Sequence, residues 1–298
     1  MGEERRIEVG GREVRLTSPE KVLFPDDGIT KSDLFDYYVR IADRMLPHIE
    51  QRPLTMHRFP EGIGQAGFMQ KSANEYFPPW IGRFEVAKQG GGTTRYPVVG
   101  EPAALAYLTN QNTIVHHVWT SRIDAPDRPD QMVFDLDPSG SDFDEVRRTA
   151  LDLRTLLDEL GLPAFCKTSG SKGLHIVVPL RREHPADEVQ AAAETIAEEL
   201  ARRAPDRLTT EFRKAERHGR LYLDVGRNRF AQTVVAPYSA RALPGAPVST
   251  PIDWDEVASS KLDPRRWTIS NLFRRLGRRS DPWEGMGAAQ ARIGELPS

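Results

Sequence analysis

The chain has a single cysteine, Cys166, in 298 residues. That excludes an internal disulfide and a multi-thiolate zinc site, and it suits a reducing cytoplasm. No apolar run approaches the roughly 18 residues that a membrane span requires. The opening Met1-Gly2-Glu3-Glu4-Arg5-Arg6 lacks the apolar stretch of a secretory signal. Gly2 fits the start of a myristoylation pattern, but Arg6 stands where Ser or Thr is needed. An excess of one sign of charge is lacking too: the net charge is -2, which excludes a uniformly positive coat for a polyanion. Repeats, low-complexity blocks and linkers rich enough to cut the chain into independent domains are all missing. So is the P-loop spacing Gly-x-x-x-x-Gly-Lys.

What remains is a globular composition, 39% hydrophobic and 28% charged, with charge placed unevenly. Residues 265 to 279 carry Arg265, Arg266, Arg274, Arg275, Arg278 and Arg279, and a second basic group spans Arg213 to Arg229. Both read as solvated helix faces or as a local basic groove.

Local patterns divide the chain into elements. Arg6 to Val9 and Arg12 to Leu16 alternate around Gly10-Gly11, a hairpin signal. Thr30 reads as the N-cap of a helix with Leu34, Tyr37, Tyr38, Ile41 and Met45 on one face, ending at Pro47. From Pro53 to Pro102, glycine, proline and aromatics predict short strands, with one hairpin turning at Gly90-Gly91-Gly92. Gln131 to Asp137 reads as a strand ending at Pro138-Ser139-Gly140. Asp142 then caps a helix, with Glu145 three residues on and Phe143, Val146, Ala150, Leu153, Leu157 and Leu160 as its stripe; Gly161 stops it. Strands at Phe165 to Lys167 and His175 to Leu180 follow, then a helix from Pro185 burying Val189, Ala193, Ile196 and Leu200. Leu221 to Val225 and Thr233 to Ala236 are further strands. The order from 131 to 225 resembles the split β-α-β pattern of ferredoxin-like sheets.

Three segments carry chemistry. Val133-Phe134-Asp135-Leu136-Asp137 puts two carboxylates on one face of a strand, with Leu136 on the other. Leu221-Tyr222-Leu223-Asp224-Val225 offers a third carboxylate. Three such groups on neighbouring strands could bridge two cations about 3.5–4 Å apart. Ser169-Gly170-Ser171-Lys172-Gly173-Leu174-His175 is a basic, glycine-punctuated loop suited to anionic oxygens. Its backbone amides can converge, with Ser169, Ser171 and Lys172 adding side-chain donors and His175 projecting toward the same anion. Clustered carboxylates beside a phosphate cradle point to phosphoryl transfer.

Phe-Asp-Leu-Asp-Pro, Thr-Ser-Gly-Ser-Lys-Gly-Leu-His and the Asp before Ala236-Pro237-Tyr238-Ser239-Ala240-Arg241 resemble the archaeo-eukaryotic primase superfamily. Within it, the chain is similar to the polymerase domain of bacterial end-joining ligase D and its stand-alone relatives. The likeness runs from about Val14 to Val257. It includes Ser18-Pro19-Glu20-Lys21-Val22-Leu23-Phe24-Pro25, Thr30-Lys31-Ser32-Asp33 and Pro247-Val248-Ser249-Thr250-Pro251.

The resemblance implies an α+β primase-polymerase fold, with an RRM/ferredoxin-like catalytic sheet packed against a smaller N-terminal α/β part. The expected layout is one domain over 1–284: an N-terminal part to about 125, a catalytic core over about 126–257, a helical part over 258–284, then a loose tail over 285–298. Asp135, Asp137 and Asp224 match the family's catalytic metal carboxylates, for two Mn²⁺ or Mg²⁺ ions. Ser169, Lys172, His175 and Arg241 match its triphosphate contacts. His117 matches a nucleotide-side histidine, with His116 beside it leaving the register open. Lys21 and Lys31 match the residues that hold a DNA 5′-phosphate, although by pattern alone both read as solvated lysines. Phe68 matches a template-stacking aromatic; the family often has two adjacent aromatics there, and this chain has Phe68-Met69. Arg58 and Lys71 are backbone-contact candidates.

The implied activity is templated extension of 3′-hydroxyl ends with NTP or dNTP, at gaps or double-strand breaks carrying a 5′-phosphate, in non-homologous end joining. A preference for ribonucleotides, a bacterial, nucleoid-associated place in the cytoplasm, and partnership with Ku and a separate ligase come with it. No Lys-x-Asp-Gly occurs, so the nucleotidyl-lysine chemistry of a ligase is absent from the sequence. Alternatives are a primer-independent primase, an excision-repair gap filler, a nuclease using the same carboxylates, or a non-catalytic DNA-end-binding module.

Overall fold

The computed structural model describes residues 3–88, 90–138, 140 and 142–294. Gly2 and Ser139, named above, and the tail beyond Gly294 lie outside the described residues. The first strands are β1 (Glu4–Val9), β2 (Arg12–Thr17), β3 (Val22–Phe24) and β4 (Ile29–Thr30), before α1 (Lys31–Ile49). Then come β5 (Leu54–Arg58), β6 (Phe68–Gln70), β7 (Gly82–Ala87), β8 (Thr93–Val98), α2 (Pro102–Asn110) and β9 (Thr113–Trp119). The central stretch holds β10 (Gln131–Asp137), α3 (Phe143–Glu159), β11 (Phe165–Thr168), β12 (Leu174–Pro179), α4 (Ala186–Arg203), β13 (Leu208–Thr209) and β14 (Leu221–Asp224). It ends with β15 (Thr233–Val235), β16 (Pro251–Ile252), α5 (Trp254–Ala258) and α6 (Leu272–Leu276). Among the described residues, no helix is long and apolar enough to cross a membrane.

The chain forms two compact units. One comprises 1–119, 233–249 and 268–272; the other comprises 120–232, 250–267 and 273–298.

In the first unit, β1 and β2 pair as the hairpin expected around Gly10-Gly11, and β7 and β8 pair across the glycine turn. A four-stranded antiparallel sheet runs β15-β9-β5-β6. Thr30 caps α1 through a reciprocal box with Asp33. The helix does not stop at Pro47 but runs on to Ile49. In the last turn a missing N–H removes one bond at most, and no following turn has to be kinked.

The second unit is built on the six-stranded sheet β13-β14-β10-β12-β11-β16. Its middle four strands, β14-β10-β12-β11, pair antiparallel and carry helices at the two crossovers, which is the ferredoxin-like arrangement. β15, expected as a further strand, joins the sheet of the other unit. Met132, Phe134 and Leu136 of β10 share one core with Val146, Leu153 and Leu157 of α3 and Val189, Ile196 and Leu200 of α4. With a period of two, this burial turns Val133, Asp135 and Asp137 to the opposite face.

Asp142 caps α3 by accepting from the amides of Asp144 and Glu145. Glu145's carboxylate turns to Arg207 at 2.7 Å. Residues 285–294, expected as part of a loose tail, are tied down: Ala291 bridges to Leu180, and Arg292 pairs with Glu183 at 2.7 Å. Just before them, the Trp283 indole donates to the Cys166 carbonyl at 2.9 Å.

Candidate active site

The sheet's polar face holds a row of four residues, one per strand. Asp135 on β10 stands in register with Asp224 on β14 and, on its other side, with His175 on β12. His175 in turn faces Lys167 on β11. Directly opposed residues have their Cβ atoms about 4.5–5.5 Å apart, so two carboxylates, an imidazole and an ammonium share one line. Asp137, two residues along β10, lies on the same face opposite Tyr222.

Asp135 is buried, with 8% of its surface exposed. Burial pushes its carboxyl well above the usual carboxylate range, and the charges of Asp137 and Asp224 push the same way. Arg227 and Lys167 oppose the shift. The His175 Nε2 lies 3.3 Å from Asp135 Oδ1. The Arg227 Nε lies 3.5 Å from Asp135 Oδ2, and its Nη2 is 3.9 Å from Asp224 Oδ2. Hard oxygen donors held together against their own repulsion suit divalent cations, so this donor set fits the ions expected there. A cavity of about 390 Å³ opens beside Asp224, lined by Phe212, Tyr222, Glu194 and Arg229 among others.

The Ser169 to Gly173 loop lies directly on β10. A Cβ placed on Gly173 would sit 2.0 Å from the Leu136 carbonyl oxygen and 2.5 Å from Asp137 Oδ1. Only glycine permits that approach. Gly170 adopts φ +67°, a left-handed conformation that turns the chain. Ser169 has a role inside the loop besides the donor role expected of its O–H. Its Oγ accepts from the amides of Ser171 and Gly173, at 3.2 and 3.0 Å, and so organises the loop from within. The Arg265 Nε donates to the Ser171 carbonyl at 2.9 Å, bracing the loop from outside. Lys172 is exposed at its tip. His175 is buried, and its contact is with the Asp135 carboxylate, a step further into the sheet than a role on the loop's anion alone.

Sequence reasoning named Gly173 for the turn of the anion loop but not for its close approach to β10, and it passed over Lys167, Arg227 and Arg265 as neighbours of the site. Lys167 and the approach of Gly173 could have been found from strand register and loop length. Arg227 and Arg265 had no local signal beyond lying in basic stretches. Another carboxylate trio, Asp253, Asp255 and Glu256, has oxygens within 4.8 Å of one another. Arg279 pairs with all three at 3.1 to 3.7 Å and Arg275 pairs with Glu256, so two guanidinium groups already offset much of the trio's charge. In the arginine-rich stretch, Arg275 is no solvated residue: it is buried against Glu256 and Trp267.

The other expected residues lie in the first unit. His116 is fully buried edge-to-face on Tyr38, while its neighbour His117 takes the opposite face of β9 and is partly exposed. The register therefore gives His117 the accessible position. Its ring lies 6.4 Å from that of His57, and burial and the charge of Arg241 both hold the His57 imidazole below its usual range. His57 was not singled out from sequence. Arg241 is fixed by its own segment: its amide donates to the Pro247 carbonyl at 2.7 Å, and the preceding Ala240 amide donates to the Tyr38 hydroxyl at 3.0 Å.

Lys21 and Lys31 flank the β3-β4 pair, and the Lys31 amide donates to the Lys21 carbonyl at 2.8 Å. Lys31 is not the solvated lysine its pattern suggested. It is 3% exposed, with Nζ donating to the Thr17 carbonyl at 2.9 Å. Burial, then the charges of Lys21 and Arg58, push its pKa down to about 8. The Lys21 Nζ lies 3.4 Å from Glu61. Phe68 is half-exposed on β6, with the Arg58 guanidinium over its ring at 5.5 Å.

The fold and the carboxylate row place the chain in the primase–polymerase class of DNA-directed nucleotidyltransferases, and comparison with known proteins narrows the class. The family model described as the primase-polymerase domain of LigD matches residues 30–283. The chain belongs to that family. The multifunctional non-homologous end joining protein LigD of Mycolicibacterium smegmatis is 37% identical over 252 residues, 84% of this chain and 33% of that protein. The LigD of Pseudomonas aeruginosa is 35% identical over 284 residues, 94% of this chain and 34% of its own length. The chain thus spans about a third of the length of these relatives. A solved structure, the polymerase domain from Mycobacterium tuberculosis ligase D in complex with DNA, superposes with a TM-score of 0.85 at 33% identity. The match covers 93% of this chain and 99% of that one.

Proposed function

We propose that the chain extends 3′-hydroxyl ends on a DNA template, at gaps and double-strand breaks that carry a 5′-phosphate, in non-homologous end joining. The observation that carries this reading is the in-register pairing of buried Asp135 with Asp224, beneath a basic loop pressed flush against β10. Asp135, Asp137 and Asp224 would hold two divalent ions, Mn²⁺ or Mg²⁺. When bound, these lower the pKa of the attacking hydroxyl and offset charge on the leaving pyrophosphate.

The protein's own groups do the remaining work. Lys172, at the exposed tip of its loop, binds triphosphate oxygens by charge-assisted hydrogen bonds. Ser169 keeps that loop in shape through its hydroxyl. His175, with its Nε2 3.3 Å from Asp135 Oδ1, is assigned to the triphosphate beside that carboxylate. His117 and Arg241 are assigned to the nucleotide, and Phe68 to stacking on a template base. Lys21 and Lys31 are assigned to the 5′-phosphate, supported by their joined backbones and by a Lys31 charge held in a confined place.

Residues 1–284 are proposed to act as one primase–polymerase domain, working at broken ends in the bacterial nucleoid with Ku and a separate ligase or ligase domain. Ribonucleotide preference belongs to the same proposal. A single experiment tests its core: fill-in of a gapped duplex with a downstream phosphate or hydroxyl, supplied with ribo- or deoxyribonucleotides. Incorporation enhanced by the phosphate supports end repair. Equal incorporation without any primer would instead make the chain a primase.

A further inference from the structure

Arg227 has no part in the chemistry proposed above, yet it contacts both facing carboxylates. Its backbone is fixed on each side. The Gly226 amide donates to Asp224 Oδ1 at 2.9 Å. Asn228, fully buried, accepts from the Val133 amide at 2.7 Å and donates to the Val133 and Val225 carbonyls at 2.8 Å. The turn is therefore clamped onto β10, two residues before Asp135. Its side chain is held far less firmly. Separations of 3.5 Å to Asp135 and 3.9 Å to Asp224 exceed hydrogen-bond length, and the side chain is 40% exposed. Arg227 is thus a cation on a fixed backbone whose half-exposed head group lies beyond hydrogen-bond length of both carboxylates.

Guanidinium and a divalent ion would compete here for the Asp135 and Asp224 carboxylates. They cannot both lie against that pair, because like charges at such range repel strongly in a partly buried site. A triphosphate changes the balance. It brings anionic oxygens that suit a planar, five-donor guanidinium better than two separated carboxylate atoms do.

We infer that Arg227 is a positioning residue that couples cation binding to nucleotide binding. It keeps Asp135 and Asp224 gathered and weakens their hold on a divalent ion until a triphosphate draws the guanidinium away. The inference rests on the reading of these carboxylates as cation ligands. The coupling is reciprocal: whatever Arg227 costs the cation in the free protein, the triphosphate restores. The protein would then hold its ions tightly only when a nucleotide is present.

The test uses the full chain without DNA, so no turnover occurs. Bound Mn²⁺ is counted by electron paramagnetic resonance for wild type, Arg227→Gln, Arg227→Lys and Asp224→Asn. Arg227→Gln is expected to bind Mn²⁺ about five-fold or more tightly than wild type, the lower end of ordinary coupling strengths. Arg227→Lys, which keeps the charge, should stay near wild type. In metal-free buffer Arg227→Gln should melt lower than wild type, and added Mn²⁺ should raise its melting temperature more. Unchanged Mn²⁺ affinity in Arg227→Gln, with binding still lost in Asp224→Asn, overturns the inference and leaves the metal reading intact. If Asp224→Asn binds Mn²⁺ as well as wild type, the carboxylates are not the ligands, and both readings fall together.

Discussion

Asp135 and Asp224 face each other in register across β10 and β14, and burial together with their mutual repulsion makes ionised Asp135 costly. Cations bound as proposed would offset that cost. Asp137→Ala and Asp224→Asn are therefore expected to lower Mn²⁺-dependent primer extension by more than about 100-fold while leaving the fold intact. Extension on a gapped duplex, with circular dichroism as the control for folding, checks this. Near-normal extension by either variant would sink the carboxylate assignment.

Gly173 meets the Leu136 carbonyl so closely that a methyl group has nowhere to go. Gly173→Ala should cost on the order of 1–3 kcal/mol of stability and displace the loop. Urea denaturation measures the first effect, and the KM for nucleotide the second. An alanine variant as stable as wild type would mean that the loop can lift off β10 freely.

Arg265 donates to the Ser171 carbonyl from outside the loop, so its loss should loosen the loop rather than unfold the protein. Arg265→Ala is expected to raise the KM for nucleotide several-fold, on the order of the 0.5–1.5 kcal/mol of one hydrogen bond, with a smaller change in kcat. Steady-state kinetics at varied nucleotide concentration separate the two.

The Lys31 pKa is pushed down to about 8, so its ammonium is lost as pH rises through that value. A bound phosphate favours the charged form and moves the midpoint upward. The advantage of a 5′-phosphate over a 5′-hydroxyl duplex should thus be full near neutrality and fade on the alkaline side of 8. Fluorescence anisotropy with both duplexes from neutral to alkaline pH reads this directly. Lys31→Met should abolish the advantage at every pH.

Among the described residues neither ring nitrogen of buried His116 has a hydrogen-bond partner, and burial pushes its pKa down to about 3. Unfolded, the same imidazole titrates at about 6.5. Between those values the unfolded chain binds the proton and the folded chain does not, so stability is lost as pH falls through this window. The loss attributable to His116 should run at roughly 1.4 kcal/mol per pH unit. Denaturation at several acidic pH values should show a shallower slope in His116→Phe than in wild type.

Much of this fold was legible because its periodicities are clean. The stripe of α3, the caps at Thr30 and Asp142 and the alternation of Asp135, Leu136 and Asp137 each report a local rule. The facing of Asp135 and Asp224 depended on register between strands almost ninety positions apart, about which local pattern says only which face each residue takes. The resemblance to a known family supplied that pairing. Lys31 was misjudged by pattern because nothing near it in sequence tells of Thr17 closing over its amine. Ser169 reads as a ligand donor in isolation, and only the closed loop reveals that its oxygen also accepts from two amides. Arg227 and Arg265 escaped because an arginine in a basic stretch looks the same whether it is solvated or aimed at a partner.

Trp283 has a practical corollary for anyone wishing to shorten the polypeptide. Its indole reaches back to the strand that bears Lys167, and the residues after it form a small buttress along β12. A cut just after α6 would strip that buttress and uncap a carbonyl behind the catalytic sheet. Trimmed versions should keep everything through Arg292, even though the last secondary-structure element ends well before it.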